Sequence, residues 1–221
     1  RLDTVMLVKA PALGKLELVA LEKIWQVQNE ITPFVSETHR WTGTLRRQAL
    51  GRAVRASNSI EGFEANLPQV QDILLGASAT DLDHETNQAV SGYRDAMTFL
   101  LQLTQDGPIR FNQNLIKSLH FMLTKDDLRN RPGRFRSGPV YVLDEQSGQI
   151  VHEGADFDEV PKLMAEFCKS IEESSNDVDL VSAAMAHLNL VLVHPFKDGN
   201  GRMARIIQSA ILAGSSPLSP V

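Results

Sequence analysis

Apolar positions recur along this chain mostly at three- and four-residue spacing, the mark of helices that bury one stripe. On that pattern helices are expected over residues 15–28, 41–60, 67–75, 84–103, 112–123, 157–173, 180–193 and 201–213. Turn-forming clusters separate them, as at Gly107-Pro108 and residues 130–133. One region changes period. Residues 139–143 and 149–152 are β-prone and flank a turn-rich stretch, 144–148, which predicts a single hairpin. Two strands alone are marginal in water and need a surface to lean on, so inside a helical domain the hairpin over 139–152 reads as a flap. Residues 180–193 are apolar nearly all round, which predicts a buried helix that delivers His194 at its C-terminal end. In the last helix Met203, Ile206, Ile207, Ala210 and Ile211 share one face, while Arg202 and Arg205 share another. The expected fold is mainly α: a helical domain around a buried central helix, with one β-hairpin flap.

Composition narrows the reading. The chain has 221 residues, 43% of them hydrophobic, enough for one sizeable core. Its net charge of −5 excludes a general polycation. Arg40, Arg46, Arg47, Arg52 and Arg55 read as a solvated helix face. The single cysteine, Cys168, cannot form an internal disulfide, which suits a reducing, cytoplasmic setting. No apolar run approaches the ~18 residues of a membrane span, and no secretory signal appears. The expected organisation is a helical extension over 1–50, the main domain over 51–214, and a Ser-Pro-rich tail or linker over 215–221.

The chemistry concentrates in residues 194–205, His-Pro-Phe-Lys-Asp-Gly-Asn-Gly-Arg-Met-Ala-Arg. Gly199-Asn200-Gly201 opens a helix, and a helix start offers unpaired N–H groups and partial positive charge to an anion. Glycines let the backbone approach phosphate oxygens. Asp198 is placed to hold Mg²⁺ bridging two phosphates, and Arg202 to clamp a phosphate with its planar fork. His194 titrates near neutral pH and is the candidate base for a hydroxyl nucleophile. Phe196 reads as the anchor of the loop. A metallohydrolase built on His187 and His194 finds no carboxylate cluster to complete it.

This stretch matches, position by position, the HxFx(D/E)GNGRxxR signature of the Fic family, at His194, Phe196, Asp198, Gly199, Asn200, Gly201, Arg202 and Arg205. Similarity extends to residues 85–93, Leu119-His120 and 132–136, so the chain resembles a Fic domain over roughly 50–213. The resemblance implies transfer of AMP from ATP, with Mg²⁺, to a Ser, Thr or Tyr hydroxyl of a protein. It implies His194 as base, Asp198 as metal ligand, Asn200 and Arg202 as phosphate contacts, and the Gly199–Gly201 backbone as a phosphate cradle. The target segment would align along the 139–152 hairpin by strand addition. Kinase-like relatives carry Lys where this chain has Gly201, which favours nucleotidyl over phosphoryl transfer. Expected partners are ATP, a protein target and a second copy of the chain, through auto-modification or homo-oligomers. No membrane is expected, and nucleic acid only through a module outside this stretch.

Ser57-Asn58-Ser59-Ile60-Glu61-Gly62 fits the family's inhibitory pattern (S/T)xxxE(G/N), with Phe63 where an Asn usually follows. Ser57 and Glu61 are four apart on one helix face, and Gly62 suits a C-cap. The helix dipole disfavours a carboxylate at a helix C-terminus, so Glu61 should have an external cation. The resemblance suggests Arg205, placing an inhibitory helix over about 45–62. Three readings stay open beside AMP transfer: removal of AMP from modified proteins, transfer from another nucleotide donor, and a non-catalytic binding module.

Overall fold

The computed structural model describes residues 6–36, 40–144, 147–173 and 179–215. The helices are α1 (Lys15–Ser36), α2 (Arg40–Ser59), α3 (Leu67–Leu74), α4 (His84–Gln105), α5 (Gln113–Thr124), α6 (Val160–Glu173), α7 (Asp179–Val193) and α8 (Asn200–Ser215). A short 3-10 turn, Leu128–Asn130, follows α5. Strands β1 (Tyr141–Leu143) and β2 (Ile150–Glu153) form one antiparallel hairpin, with an irregularity between Val142 and Leu143. The mainly α architecture with one hairpin is the class read from the pattern.

The starts are set by capping. Asn66, Asp83 and Asn112 accept from the backbone N–H three residues on, in the helices that follow each. The core gathers Tyr93, Met97, Leu119, Phe167, Leu190, Phe196, Met203 and Ile206, all at most 1% exposed. α7 and α8 pack most extensively on each other, α4 lies against α5 and α8, and α2 reaches both α4 and α8. The α4–α5 approach needs Gly92, because a Cβ there would stand 2.5 Å from the carbonyl oxygen of Leu123.

Several expectations shift. α1 runs to Ser36, eight residues beyond its expected end, with Pro33 inside it. Its apolar residues stay largely exposed, Leu16 at 83% and Trp25 at 65%. α6 starts at Val160 rather than 157, where the chain still turns with Glu159 N–H donating to Asp156 O. α7 is not buried all round: Leu188 is 42% exposed and Ala184 faces outward. The extended segment 6–10 covers part of it, with the Asn189 amide donating to Val8 O at 3.0 Å and accepting from Val8 N at 2.7 Å. α2 runs unbroken across residue 50, where the main domain was expected to begin. Arg46, Arg47, Arg52 and Arg55 are exposed, while the side chain of Arg40 and the tail from 216 lie outside the described residues. Among the described residues no helix is long and apolar enough to cross a membrane.

Candidate active site

α7 ends at the site because His194 adopts a left-handed conformation, φ 51°. Its N–H still donates to Leu190 O at 2.9 Å, and its ring turns back so that Nδ1 donates to Val191 O at 3.2 Å. A carbonyl only accepts, so the proton sits on Nδ1 and Nε2 presents its lone pair. Burial holds the His194 pKa below its ordinary value, against an upward pull from the Val191 carbonyl. The ring is thus neutral and oriented at pH 7.

The loop after His194 is pinned from both sides. Phe196 is fully buried and stacks on His120, ring centroids 3.8 Å apart and nearly parallel. Asn200 closes the loop: its Oδ1 accepts from Phe196 N–H and its Nδ2 donates to Phe196 O, both at 2.9 Å. Both polar ends of Asn200 are therefore engaged within the loop, and its backbone N–H is what it offers an anion. Gly199 takes φ 77°, and its carbonyl accepts from Met203 N–H at 2.9 Å. α8 therefore starts at Asn200, and the N–H groups of Asn200, Gly201 and Arg202 have no intrahelical acceptor.

His120 holds the loop's far end. Its Nε2 donates to Asp198 O at 3.1 Å, while Nδ1 accepts from Gly133 N–H at 3.0 Å. Both bonds require the neutral ring, and burial pushes its pKa down to about 4. The Asp198 carboxylate points outward, accepting at Oδ2 from Asn130 Nδ2 at 3.1 Å and from Arg202 Nη2 at 3.3 Å. Arg202 is 3% exposed, and its Nε is buried with no acceptor among the described residues. Burial lowers its pKa, opposed by Asp198 and Glu61. A buried guanidinium with an orphaned N–H is a cation suited to an additional anionic acceptor. No group of three metal-ligating side chains occurs among the described residues. Mg²⁺ is commonly held by one or two carboxylates plus phosphate oxygens and water, so the half-exposed Asp198 fits as its one protein ligand.

Arg205 is taken by α2. Its Nε donates to Ser57 Oγ at 2.7 Å, and its Nη2 donates to Ser57 O at 3.0 Å and to Glu61 Oε1 at 2.5 Å. Glu61 reaches it because α2 ends in a Schellman turn: Phe63 N–H donates to Asn58 O, Gly62 N–H to Ser59 O, and Gly62 has φ 84°. Glu61 Oε1 stands only 2.5 Å from where a Cβ on Gly201 would be, so the carboxylate lies over the opening turn of α8. Behind it is Tyr93, whose pKa burial raises while a hydrogen bond with Ser57 and the nearby Arg205 and Arg202 oppose the rise.

One residue at the centre of this arrangement was not singled out in the sequence. Arg136, 6% exposed, donates from Nε to His194 O at 2.7 Å, from Nη1 to Gly138 O at 2.8 Å, and from Nη2 to Ala155 O and to Val193 O at 3.4 Å. It ties the end of α7 to both roots of the hairpin. His152 adds a tie from β2, its Nε2 donating to Leu192 O at 2.9 Å. The signal was the similarity over residues 132–136, which carried no assignment of Arg136. The structure thus assembles His194, Asp198, Gly199, Asn200, Gly201, Arg202, Arg205, Ser57 and Glu61 around one loop, while His187 is turned away to Gln208, 2.7 Å from its Nδ1. A cavity of about 410 Å³ opens beside the loop, lined by Phe63, Leu123, Asn130, Asp198 and Arg202 among others.

Comparison with known proteins points the same way. Residues 110–212 match the Fic/DOC family. The chain is 30% identical over 191 residues to a protein named protein adenylyltransferase Fic from Drosophila melanogaster, covering 83% of this chain and 37% of that one. Its namesake from Nematostella vectensis is 28% identical over 224 residues, covering 94% of this chain and 48% of that one. A crystal structure of a Fic family protein from Desulfovibrio desulfuricans G20 superposes with a TM-score of 0.77 at 28% identity, covering 96% of this chain and 62% of that one. The chain therefore spans less than half the length of these two named relatives.

Proposed function

The chain belongs to the Fic/DOC family, and on that premise we propose that it is a protein adenylyltransferase restrained by its own Glu61. The observation that carries the reading is the loop from His194 to Arg202, where one short run of backbone presents an oriented neutral imidazole, an outward carboxylate, open amides and a buried arginine with a free N–H.

In this reading the polyphosphate of ATP lies against the first turn of α8, on the amides of Asn200, Gly201 and Arg202 and the Arg202 fork. Asp198 would hold Mg²⁺, which would supply neutralisation of phosphate charge. A Ser, Thr or Tyr hydroxyl of the target gives its proton to His194 Nε2 as its oxygen bonds to the α-phosphorus. The bond from that phosphorus to the bridging β-oxygen breaks, and pyrophosphate leaves. The hairpin, tied to α7 by Arg136 and His152, aligns the target by strand addition. The target is a protein, and a second copy of this chain is a natural first substrate to test. The buried single Cys168 suits a reducing compartment such as the cytoplasm.

The restraint rests on the Glu61–Arg205 pair. With Glu61 and Ser57 occupying its N–H groups, Arg205 is withheld from the terminal phosphate. A second reading uses the same atoms in reverse: Glu61 Oε1 over the start of α8 is positioned to orient a water against an AMP-modified protein. Incubating Glu61→Gly with Mg²⁺ and ATP, UTP, GTP or CTP in turn, then reading intact mass, tests the donor and the reaction. The mass of one AMP added only from ATP supports the proposal. A different nucleotidyl mass reassigns the donor, and no addition from any donor sinks the transferase.

A further inference from the structure

The turn that carries Glu61 to Arg205 also carries a second side chain to the second arginine. Phe63 follows Gly62 in the Schellman turn, and its ring lies under the Arg202 guanidinium, 4.9 Å from ring centroid to Cζ. The two contacts differ in kind. Glu61 is an anion that takes up N–H groups of Arg205, in competition with a phosphate. The Arg202 cation lies over the face of the Phe63 ring, which supplies no hydrogen-bond acceptor atom in competition with a phosphate. This contact leaves the hydrogen bonds of the fork unchanged: Nη2 reaches Asp198, and the buried Nε has no acceptor among the described residues. A cation already held against a ring loses less rotamer freedom when a phosphate arrives.

We propose that Phe63 is a positioning residue for Arg202, so that the turn bearing the restraint is at the same time part of the nucleotide site. The inference rests on the nucleotide-binding reading of the loop. It separates two ways of releasing the restraint. Withdrawing the Glu61 side chain alone frees Arg205 and keeps Arg202 supported, which gives full nucleotide binding. Undocking the whole turn frees Arg205 but removes the support, which gives weaker binding. Activation therefore acts at Glu61 with the turn still docked.

The test measures ATP affinity by calorimetry and KM against kcat, in the full chain carrying Glu61→Gly, with Phe63 native or changed to Leu, Met or Tyr. Leu and Met keep apolar bulk and lose the ring, whereas Tyr keeps it. The expected result is ATP binding about fivefold weaker with Leu and with Met, as suits one partly desolvated cation–π contact. The rise should appear in KM with kcat within about twofold, and Tyr should restore it. Phe63→Met keeps the test open if Leu perturbs folding. ATP affinity that is unchanged or improved in Phe63→Leu or Phe63→Met, with the proteins folded, overturns the proposal, as does failure of Tyr to restore it. If Glu61→Gly with native Phe63 binds no nucleotide at all, the functional reading fails first and is identified as the cause.

Discussion

Arg136→Lys keeps the charge and removes the fork, so it isolates what the guanidinium does for the site. In the structure one side chain serves four carbonyls, those of His194, Gly138, Ala155 and Val193. A lysine ammonium is a single point on a flexible stem and cannot span them, which leaves at least one of the His194, Gly138 and Ala155 carbonyls without a donor, while Val193 O keeps the Ala155 N–H at 3.3 Å. At about 1–3 kcal/mol for each unsatisfied buried group, stability should fall by about 1–3 kcal/mol. The functional loss has a direction as well. His194 and both hairpin roots loosen, whereas the amides of α8 and Arg202 are held through Asn200, Phe196 and His120 instead. In a Glu61→Gly background, kcat for AMP transfer should therefore drop by about tenfold or more, since small misplacements of reacting groups are costly. ATP affinity should stay within about twofold on the same argument. Urea unfolding gives the stability term, calorimetry the ATP affinity, and labelled transfer the rate. Unchanged stability would refute the hub assignment. A loss of ATP affinity that parallels the loss of rate would refute the separation between base and phosphate cradle.

Other consequences follow from the same geometry. His120 is held at a pKa of about 4 in the folded chain, below its ordinary 6.5, so the unfolded chain binds the extra proton between those values. Stability should therefore be complete above pH 6.5 and fall by up to about 3 kcal/mol as pH drops toward 4; a pH series of unfolding curves whose slope in this window is the same in His120→Asn would contradict it. The lowered pKa of His194 in the free chain puts the acid limb of kcat/KM below pH 6.5, and a kcat/KM that still rises through pH 7 would count against His194 Nε2 as the base. Ser57→Ala removes one acceptor from Arg205 and leaves Glu61 in place, so basal transfer should rise, by about two- to tenfold, yet stay below Glu61→Gly; equal rates in wild type and Ser57→Ala would take Ser57 out of the restraint. Gly92→Ala drives a Cβ into the Leu123 backbone at 2.5 Å, and thermal unfolding should show a loss of about 2 kcal/mol or more.

What the sequence made legible was whatever sits close along the chain. The candidate base, the candidate metal carboxylate, the opening glycines and both arginines lie within twelve consecutive residues, and their closeness along the chain alone brings them to one place. The Glu61–Arg205 pair spans 144 positions, and only the resemblance to a known inhibitory pattern connected its halves. Arg136 was not legible because its role depends on four carbonyls from α7, the hairpin roots and the segment after β2, and backbone carbonyls carry no sequence signal. Asn200 shows the converse. Its place in the loop was legible, but the tie of its side chain to Phe196 N–H and O was not, since that pairing depends on the loop's geometry. The excess apolarity of α7 was read as complete burial. Ala184 and Leu188 lie instead on an exposed face, and hydrophobicity alone does not say which side of a helix its neighbours will cover.

The central claim is an AMP transferase that its own Glu61 holds back and that uses His194 as base. The most direct measurement is transfer of label from α-³²P-ATP with Mg²⁺, onto the protein and onto a cell lysate, by wild type, Glu61→Gly, and Glu61→Gly combined with His194→Ala. The account predicts faint labelling by wild type, strong labelling by Glu61→Gly, and none above background once His194 is also removed. Equal labelling by wild type and Glu61→Gly, or labelling that persists without His194, would contradict it.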